Sequence, residues 1–250
     1  MKMRNEIVLI VLAIMFFGLV FKTATADPVG PNDIITENSE QGVIGGGPAT
    51  EIEAEAGNVT QLTINASTLT NYWQGYYGNI TGEIILSDAS GNMMYDWTAG
   101  ATGYTPVGEI YAANYSISNW GDVACVVLVG DGTPGSDGVN TTILEAMYGM
   151  DPNAGDGINE TFTSTNDITI GTNTLVGCPA TNTHVNNESQ STSFNETLLT
   201  ENAVGTVIFA TQVENDATGY DGNPWDFQMI VGENGDVEGT TTYYFYVELV

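Results

Sequence analysis

Beyond about residue 57, the apolar residues of this chain come in short runs or alternate with polar residues, a period of two that is typical of β-strands. Leu62, Ile64 and Ala66 alternate with polar neighbours. Turn residues at 88–92 predict a hairpin between the flanking apolar runs. The strand candidates are 80–86, 94–98, 107–112, 123–129, 168–176, 204–213, 225–231 and 240–250.

One segment, residues 141–150, has the spacing of a helix. Ile143, Leu144, Met147 and Tyr148 recur at helical intervals and are expected on one face, after Asn140 or Thr141 as the N-cap. Eight or nine strands separated by turn residues and one short helix predict an all-β fold. We expect a single β-sandwich-like domain over residues 58–250.

The N-terminus has the pattern of an export signal. Lys2 and Arg4 precede the apolar run 7–21, and an A-x-A site ends at Ala26. This predicts a signal peptide over 1–26, cleaved after Ala26. An uncleaved membrane anchor is the alternative, although fifteen apolar residues rise only about 22 Å as a helix. A cut ahead of the apolar run is a third option, but no Gly or Ala precedes that run.

Residues 27–57 differ in composition from the rest of the chain. They are rich in Gly, Pro and acidic residues and contain few large apolar side chains. Such a composition predicts a flexible spacer between the signal segment and the domain.

The charge is strongly one-sided. The chain has 3 Lys+Arg and 31 Asp+Glu, a formal net charge of −28. All three cations (Lys2, Arg4 and Lys22) precede Asp27. A surface without cations cannot neutralise phosphates, which excludes nucleic acid as a partner and docking to anionic lipid through a basic patch. The sequence therefore predicts contact with a membrane only through the N-terminal segment, if that segment is uncleaved.

A net charge of −28 on one small domain also repels itself. High salt, low pH or bound Ca²⁺ would each relieve this repulsion between carboxylates.

One acidic loop is a candidate calcium site, because Ca²⁺ prefers oxygen ligands. The loop resembles the aspartate-rich loops of thrombospondin-type repeats in its lead-in, Tyr148-Gly149-Met150-Asp151-Pro152, but a second Asp-x-Asp is missing. Ordinary Asp/Asn/Gly turn chemistry is the alternative. The candidate ligands are Asp151, Asn153, Asp156, Asn159 and Glu160.

Two cysteines, Cys125 and Cys178, are the only ones in the chain. In an exported protein such a pair predicts a disulfide. A metal site built on the two thiolates is the alternative, although a pair of thiolates without a nearby histidine ligand makes a poor zinc site.

Eight Asn-x-Ser/Thr sequons predict N-glycosylation of an exported chain. Chance sequons in a chain rich in Asn and Thr are the alternative explanation. The acceptors are Asn58, Asn65, Asn79, Asn114, Asn140, Asn159, Asn187 and Asn195.

Aromatic residues concentrate in two places. Tyr72, Trp73, Tyr76 and Tyr77 form a candidate sugar-binding loop, because such side chains stack on sugar rings; the alternative is that Trp73 and Tyr77 plug the end of the sandwich. The β-prone segment 240–250 is expected to be the last strand of the sheet, or else a strand that pairs with a neighbouring subunit, as residues 40–44 could also do.

No motif for catalysis is recognisable, and we expect the protein not to be an enzyme. His184 is the only histidine and lies in a polar stretch, so it is expected to be a solvated loop residue. A pair of carboxylates could hydrolyse glycosides in principle, but none of the 31 stands out as a pair.

Three stretches, 57–82, 226–231 and 243–249, together resemble uncharacterised exported archaeal cell-surface proteins over residues 57–250. The resemblance implies an archaeal surface location and contributes no catalytic residues. With the features above it favours a secreted, N-glycosylated structural protein that assembles with itself or with other cell-surface components into filaments or a coat by strand addition. A secreted carbohydrate- or calcium-binding β module is the alternative.

Overall fold

A computed structural model describes residues 27–43, 51–97, 107–128, 139–188, 193–201, 206–234 and 240–249. The described part is mostly β-structure, which confirms the all-β prediction. The strands are β1 (Trp73–Gly78), β2 (Ile85–Ser87), β3 (Met93–Asp96), β4 (Gly108–Ala113), β5 (Val123–Cys125), β6 (Ser164–Ile170), β7 (Asn173–Asn182), β8 (Asn195–Glu201), β9 (Thr206–Gln212), β10 (Ala217–Thr218), β11 (Pro224–Trp225), β12 (Phe227–Gly232) and β13 (Tyr244–Leu249). The helices are α1 (Thr141–Met147) and α2 (Ile158–Thr161), with a 3-10 turn at Trp120–Asp122.

The main sheet is antiparallel and has seven strands. Its order is β13-β4-β9-β8-β7-β6, and β5 also pairs with β8. Alternation along the strands gives the sheet two apolar faces. Val207 and Phe209 of β9 belong to one core, whereas Ile208 and Ala210 belong to the other. This explains why β9 reads as a continuous apolar run: both of its faces are buried.

Two layers cover these faces. The first core (the Phe209 side) lies beneath α1, α2 and the separate antiparallel pair β1–β12. The second core (the Ile208 side) lies beneath β5, the 3-10 turn and the β6–β7 hairpin, which curls over the sheet. At the tip of that hairpin the Gly171 N–H donates to Glu248 Oε1 of β13 at 2.8 Å. The result is the predicted sandwich-like domain.

The predicted hairpin around residues 88–92 is confirmed as β2–β3. Asp88 Oδ1 accepts hydrogen bonds from the N–H groups of Ser90 and Asn92, at 2.9 and 2.8 Å. Gly91 has φ +80°, a left-handed conformation that glycine adopts without strain. The turn therefore forms for the reason that its sequence suggests.

Helix α1 is confirmed, and so is its N-cap, because Asn140 Oδ1 accepts from the Ile143 N–H at 3.0 Å. The predicted face is partly wrong. Leu144 and Tyr148 are buried, but Ile143 is 52% and Met147 40% exposed. The buried stripe instead includes Thr141 and Glu145. Polar side chains can occupy it because they find hydrogen-bond partners on α2.

Three other expectations differ from the structure. Segment 168–176 is not one strand: β6 and β7 meet at a turn whose Gly171 has φ +55°. Strand β8 and helix α2 were not expected from the sequence. Leu62, Ile64 and Ala66 lie in exposed coil, not in a strand.

Residues 30–43 and 51–70 contain neither helix nor strand. Val29, just before them, forms an isolated antiparallel bridge with Val247 of β13. Within the described ranges, no helix has the length and apolar character needed to cross a membrane.

Candidate functional site

The two cysteines form a disulfide, as predicted. Cys125 of β5 is bonded to Cys178 of β7, 53 residues further along the chain. Both strands approach β8, and Cys178 is fully buried in the second core. The bond therefore ties the curled hairpin to the sheet, and the alternative of a thiolate metal site is wrong.

Among the described residues five carboxyl side chains are buried, and the chain has no Lys or Arg after residue 26. A buried carboxylate is costly unless hydrogen bonds or a proton replace its water shell. The five are Glu145, Glu196, Glu201, Asp226 and Glu248.

Two of the five are bound by backbone amides. Glu201 Oε1 accepts from Ser118 N, Ser118 Oγ and Asn119 N, at 3.1, 2.7 and 2.9 Å. Asp226 accepts from Ile80 N at 2.8 Å and Asp216 N at 3.0 Å, one at each oxygen. Amide donors here take the place that cations hold in other proteins.

Glu196 of β8 is different because it has a single donor. Its Oε2 accepts from the Ile230 N–H of β12 at 2.9 Å, while Oε1 has no partner in the described part of the chain. Complete burial raises the pKa of this carboxyl well above its ordinary value, although the Ile230 hydrogen bond opposes the shift. Burial in this position therefore favours the protonated form of Glu196.

Glu109 and Glu248 face each other across β4 and β13. Glu248 accepts from the Tyr111 hydroxyl at 3.0 Å as well as from Gly171 N at 2.8 Å. Burial raises the pKa of Glu109 to about 7, and the charge of Glu248 adds to the shift. Burial also raises the pKa of Glu248, and the nearby charge of Asp27 contributes to this.

A small cavity of about 100 Å³ lies beside Glu109. Oxygen- and nitrogen-bearing side chains form most of its wall, so it has room and partners for water. Its polar lining consists of Glu109, Asn166, Asp167, Asn195, Thr197 and Gln212.

Several side chains of the candidate calcium loop form hydrogen bonds within the protein. Asp151 Oδ1 accepts from Asn153 N at 2.8 Å, and Asp156 Oδ2 accepts from Thr70 Oγ1 at 2.6 Å. Asn159 donates to Glu145 on α1. In the ranges that the structure covers, no group of three or more His, Cys, Asp or Glu side chains could hold a metal ion. Calcium binding by this loop stays a prediction. Its candidate ligands are Asp151, Asn153, Asp156, Asn159 and Glu160.

The aromatic stretch predicted as a loop is strand β1, and most of its rings face the first core. Trp73 packs against Phe162 and Phe209 at 6.2 Å between ring centroids, and its Nε1–H donates to Asp156 O at 2.7 Å. Tyr72 and Tyr76 are also packed against this core. Three of the four proposed sugar-binding residues are therefore packed against the core; of the two residues in the alternative interpretation, Trp73 is packed there and Tyr77 is exposed.

Tyr77, the fourth, belongs to a surface cluster that the sequence does not reveal. Its ring lies 5.0 Å from those of Tyr220 and Trp225. Tyr77 and Tyr220 are 42% and 44% exposed. Asp221 Oδ1 accepts from Trp225 Nε1 at 3.0 Å and orients the indole. A hydrogen bond with Tyr77 raises the pKa of Tyr220 to about 12, with burial as a smaller cause. We call Tyr77, Tyr220 and Trp225 the aromatic cluster.

The sequons divide into two groups by exposure. Asn58, Asn65, Asn79 and Asn187 are exposed, whereas Asn114, Asn140, Asn159 and Asn195 are half-buried. In the second group, Asn159 Nδ2, the atom that a glycan would modify, donates to Glu145 Oε1 at 3.0 Å. The first group is accessible in the folded chain.

The remaining predicted residues lie on the surface or at a sheet edge. His184 is exposed, as expected of a loop residue. Segment 240–250 forms β13, and pairing of this strand with another subunit stays a prediction. Of the second candidate, 40–44, residues 40–43 are exposed coil, and residue 44 lies outside the described residues.

Comparisons with known proteins give no relative. No protein-family model matches the chain, and neither the curated proteins nor the solved structures include a significant match. The likeness to archaeal surface proteins therefore stays an expectation drawn from the sequence.

Proposed function

We propose that the protein is exported and serves as a glycosylated structural component of the cell surface, where copies assemble by strand addition into filaments or a coat. The observation that carries this proposal is a β-prone coil segment, residues 59–67, that pairs with no strand among the described residues. We call it the free segment.

The free segment has the alternation of a strand with one apolar face. Leu62, Ile64 and Ala66 would lie on one side, with Gln61, Thr63 and Asn65 on the other. In the structure Val59, Leu62 and Ile64 are 100%, 53% and 81% exposed. Its backbone makes no hydrogen bond to another described residue. Burying these side chains at about 25 cal/mol per Å² would stabilise an assembled state.

The sheets offer edges at which such a segment can pair. Strands β1 and β6 are terminal in their sheets, and no second strand pairs with either in the described ranges. An added strand gains main-chain hydrogen bonds along such an edge, and its alternate side chains provide the specificity. Because one chain carries both the free segment and the edges, successive copies can form a continuous array.

The test replaces the apolar face of the free segment and leaves the fold alone. The double variant Leu62→Ser/Ile64→Ser is compared with Gln61→Ser/Thr63→Ser, which changes the polar face by the same number of residues. Both variants should melt as the wild type does, because the free segment makes no backbone hydrogen bond with the described part of the domain. Sedimentation and electron microscopy should show polymers for the wild type and the control, and monomers for Leu62→Ser/Ile64→Ser. Normal polymers of that variant, or a wild type that is monomeric when isolated from its native source, would contradict the proposal.

A carbohydrate-binding module is the second candidate, and the aromatic cluster favours it. The exposed rings and the neighbouring Asp221 combine apolar faces with hydrogen-bond acceptors, as sugar sites do. Binding of neutral polysaccharides on a glycan array should be lost in Tyr220→Ala. It should persist in Tyr95→Ala, which removes another exposed aromatic residue, on β3. Equal signals from both variants would remove this candidate.

Calcium binding is tested separately by thermal melts in CaCl₂ and in MgCl₂ at the same ionic strength. A higher midpoint in calcium alone, lost in Asp151→Asn, would support the loop as a site. Identical midpoints in the two salts would contradict it.

A further inference from the structure

The first residues after the predicted signal peptide are held at a defined place on the sheet. Val29 N donates to Val247 O at 3.0 Å, and Val247 N donates to Val29 O at 2.8 Å. Pro28 is buried. Because the bridge is antiparallel, Pro28 lies at the level of Glu248 and Asp27 at the level of Leu249.

Asp27 and Glu248 meet at the same glycine. A Cβ atom on Gly171 would lie 2.6 Å from Asp27 Oδ1 and 3.8 Å from Asp27 Cα. The N–H of Gly171 donates to Glu248 Oε1 at 2.8 Å. Asp27 and Glu248 therefore lie on either side of Gly171, at the tip of the β6–β7 hairpin.

The charges around Glu248 are all of one sign. Asp27 lies on the N-terminal side, Glu109 faces it on β4, and Tyr111 donates a hydrogen bond to it. The hairpin tip contributes a backbone amide and no charged side chain. No Lys or Arg follows residue 26 to balance these groups.

We propose that cleavage after Ala26 creates the missing counter-ion: the new α-ammonium group of Asp27 pairs with Glu248 and fastens the N-terminus to β13. The inference rests on the export and cleavage proposed above. Hydrolysis of the Ala26–Asp27 peptide bond consumes one water, leaves a carboxylate on Ala26 and frees the amine of Asp27, which takes up a proton at neutral pH. Before cleavage the same nitrogen is an uncharged amide.

This pairing makes maturation a stabilising event for the folded domain. No Lys or Arg follows residue 26, so the α-ammonium group would add a positive charge that no Lys or Arg side chain of the mature chain supplies, and it would arise at one of the buried carboxyls. A charge-assisted contact would hold residues 27–29 on the edge of β13. That edge would then be covered in the mature subunit and closed to other strands there.

The test uses the full mature chain, beginning at Asp27, with its amine either free or acetylated. At pH 6.5, acetylation should lower the melting temperature by about 2–4 °C, a shift measurable in a chain of this size. The loss should vanish at pH 10, where the amine is neutral in both forms. In Glu248→Gln acetylation should have no effect, whereas in Glu188→Gln, which neutralises an exposed carboxylate, the full loss should remain.

A second measurement needs no variant. The pKa of the Asp27 amine, followed by NMR, should lie above the ordinary value of about 7.7–8.0 for an α-amino group. An ordinary pKa, or an acetylation effect that is equal in wild type and Glu248→Gln, would overturn the ion pair. Mass analysis of the exported protein tests the cleavage separately. A chain that still begins before Asp27 would overturn the cleavage, whatever the acetylation measurements show.

Discussion

Glu109 and Glu248 are directly opposite each other on β4 and β13, two partly or fully buried carboxyls in register. Like charges in this arrangement destabilise a sheet when both are ionised. Below about pH 7 the double charge is avoided because Glu109 stays protonated, since its pKa is raised to about 7.

This pair makes stability depend on pH. A carboxyl whose pKa is raised by folding binds more protons in the folded state, so its contribution is most favourable below the unfolded value of about 4.3. That contribution is lost as the pH rises through 7. We expect the melting temperature to fall between pH 5 and pH 8. In Glu109→Gln the fall should be smaller, and the midpoint at pH 8 should be higher by about 2–4 °C.

The control for this prediction is Glu37→Gln, because Glu37 is exposed in the coil. It should reproduce the wild-type profile. A Glu109→Gln profile that parallels the wild type between pH 5 and pH 8 would show that the pair does not hold a proton.

The sequence predicted those parts of the fold that depend on local patterns. The hairpin at Asp88, the N-cap at Asn140 and the disulfide each follow from residues close together or few in number. Strand β8 could not be predicted, because Glu196 and Glu201 look like surface residues and are buried only through donors distant in sequence. The aromatic cluster could not be predicted either, because Tyr77 lies far in the sequence from Tyr220 and Trp225.

Glu196 gives a second prediction. A protonated glutamic acid and a glutamine are nearly the same shape, and both leave a carbonyl oxygen for the Ile230 N–H. Glu196→Gln should therefore fold normally, with a midpoint at pH 5 close to that of the wild type and a higher one at pH 8. Glu196→Ala should be destabilised at both values because it leaves a cavity. A lower midpoint for Glu196→Gln at pH 8 would mean that Glu196 is ionised in the folded protein.

The disulfide should contribute substantially to stability. A crosslink that closes a loop of this size restricts the unfolded chain, and removing one commonly costs about 2–5 kcal/mol. We expect Cys125→Ser/Cys178→Ser to lower the free energy of unfolding by about 2–4 kcal/mol in denaturant titrations. A reducing agent should destabilise the wild type by a similar amount and leave the double variant unchanged. An unaffected wild type would contradict the prediction.

Asn159 should be the sequon least compatible with a glycan. A sugar on its Nδ2 would displace the hydrogen bond to Glu145, a buried residue on α1. Mapping of native protein should find occupancy among Asn58, Asn65, Asn79 and Asn187 and none at Asn159. Because no Lys or Arg follows residue 26, trypsin has no sites in the mature chain, and chymotrypsin or an Asp-specific protease is needed. A glycan found at Asn159 would contradict the assigned contact.

The net charge of −28 gives a last prediction, which separates long-range repulsion from the local effects above. Repulsion among exposed carboxylates is screened by salt, because the Debye length falls from about 10 Å at 0.1 M to about 3 Å at 1 M. Buried groups such as Glu109 are screened much less. Raising NaCl from 0.1 to 1 M should therefore raise the midpoint at pH 8 in wild type and Glu109→Gln alike. At pH 3.5 many carboxyls are protonated, and the same change in salt should have a much smaller effect. A salt effect of equal size at both pH values would show that it arises from general hydration and not from repulsion.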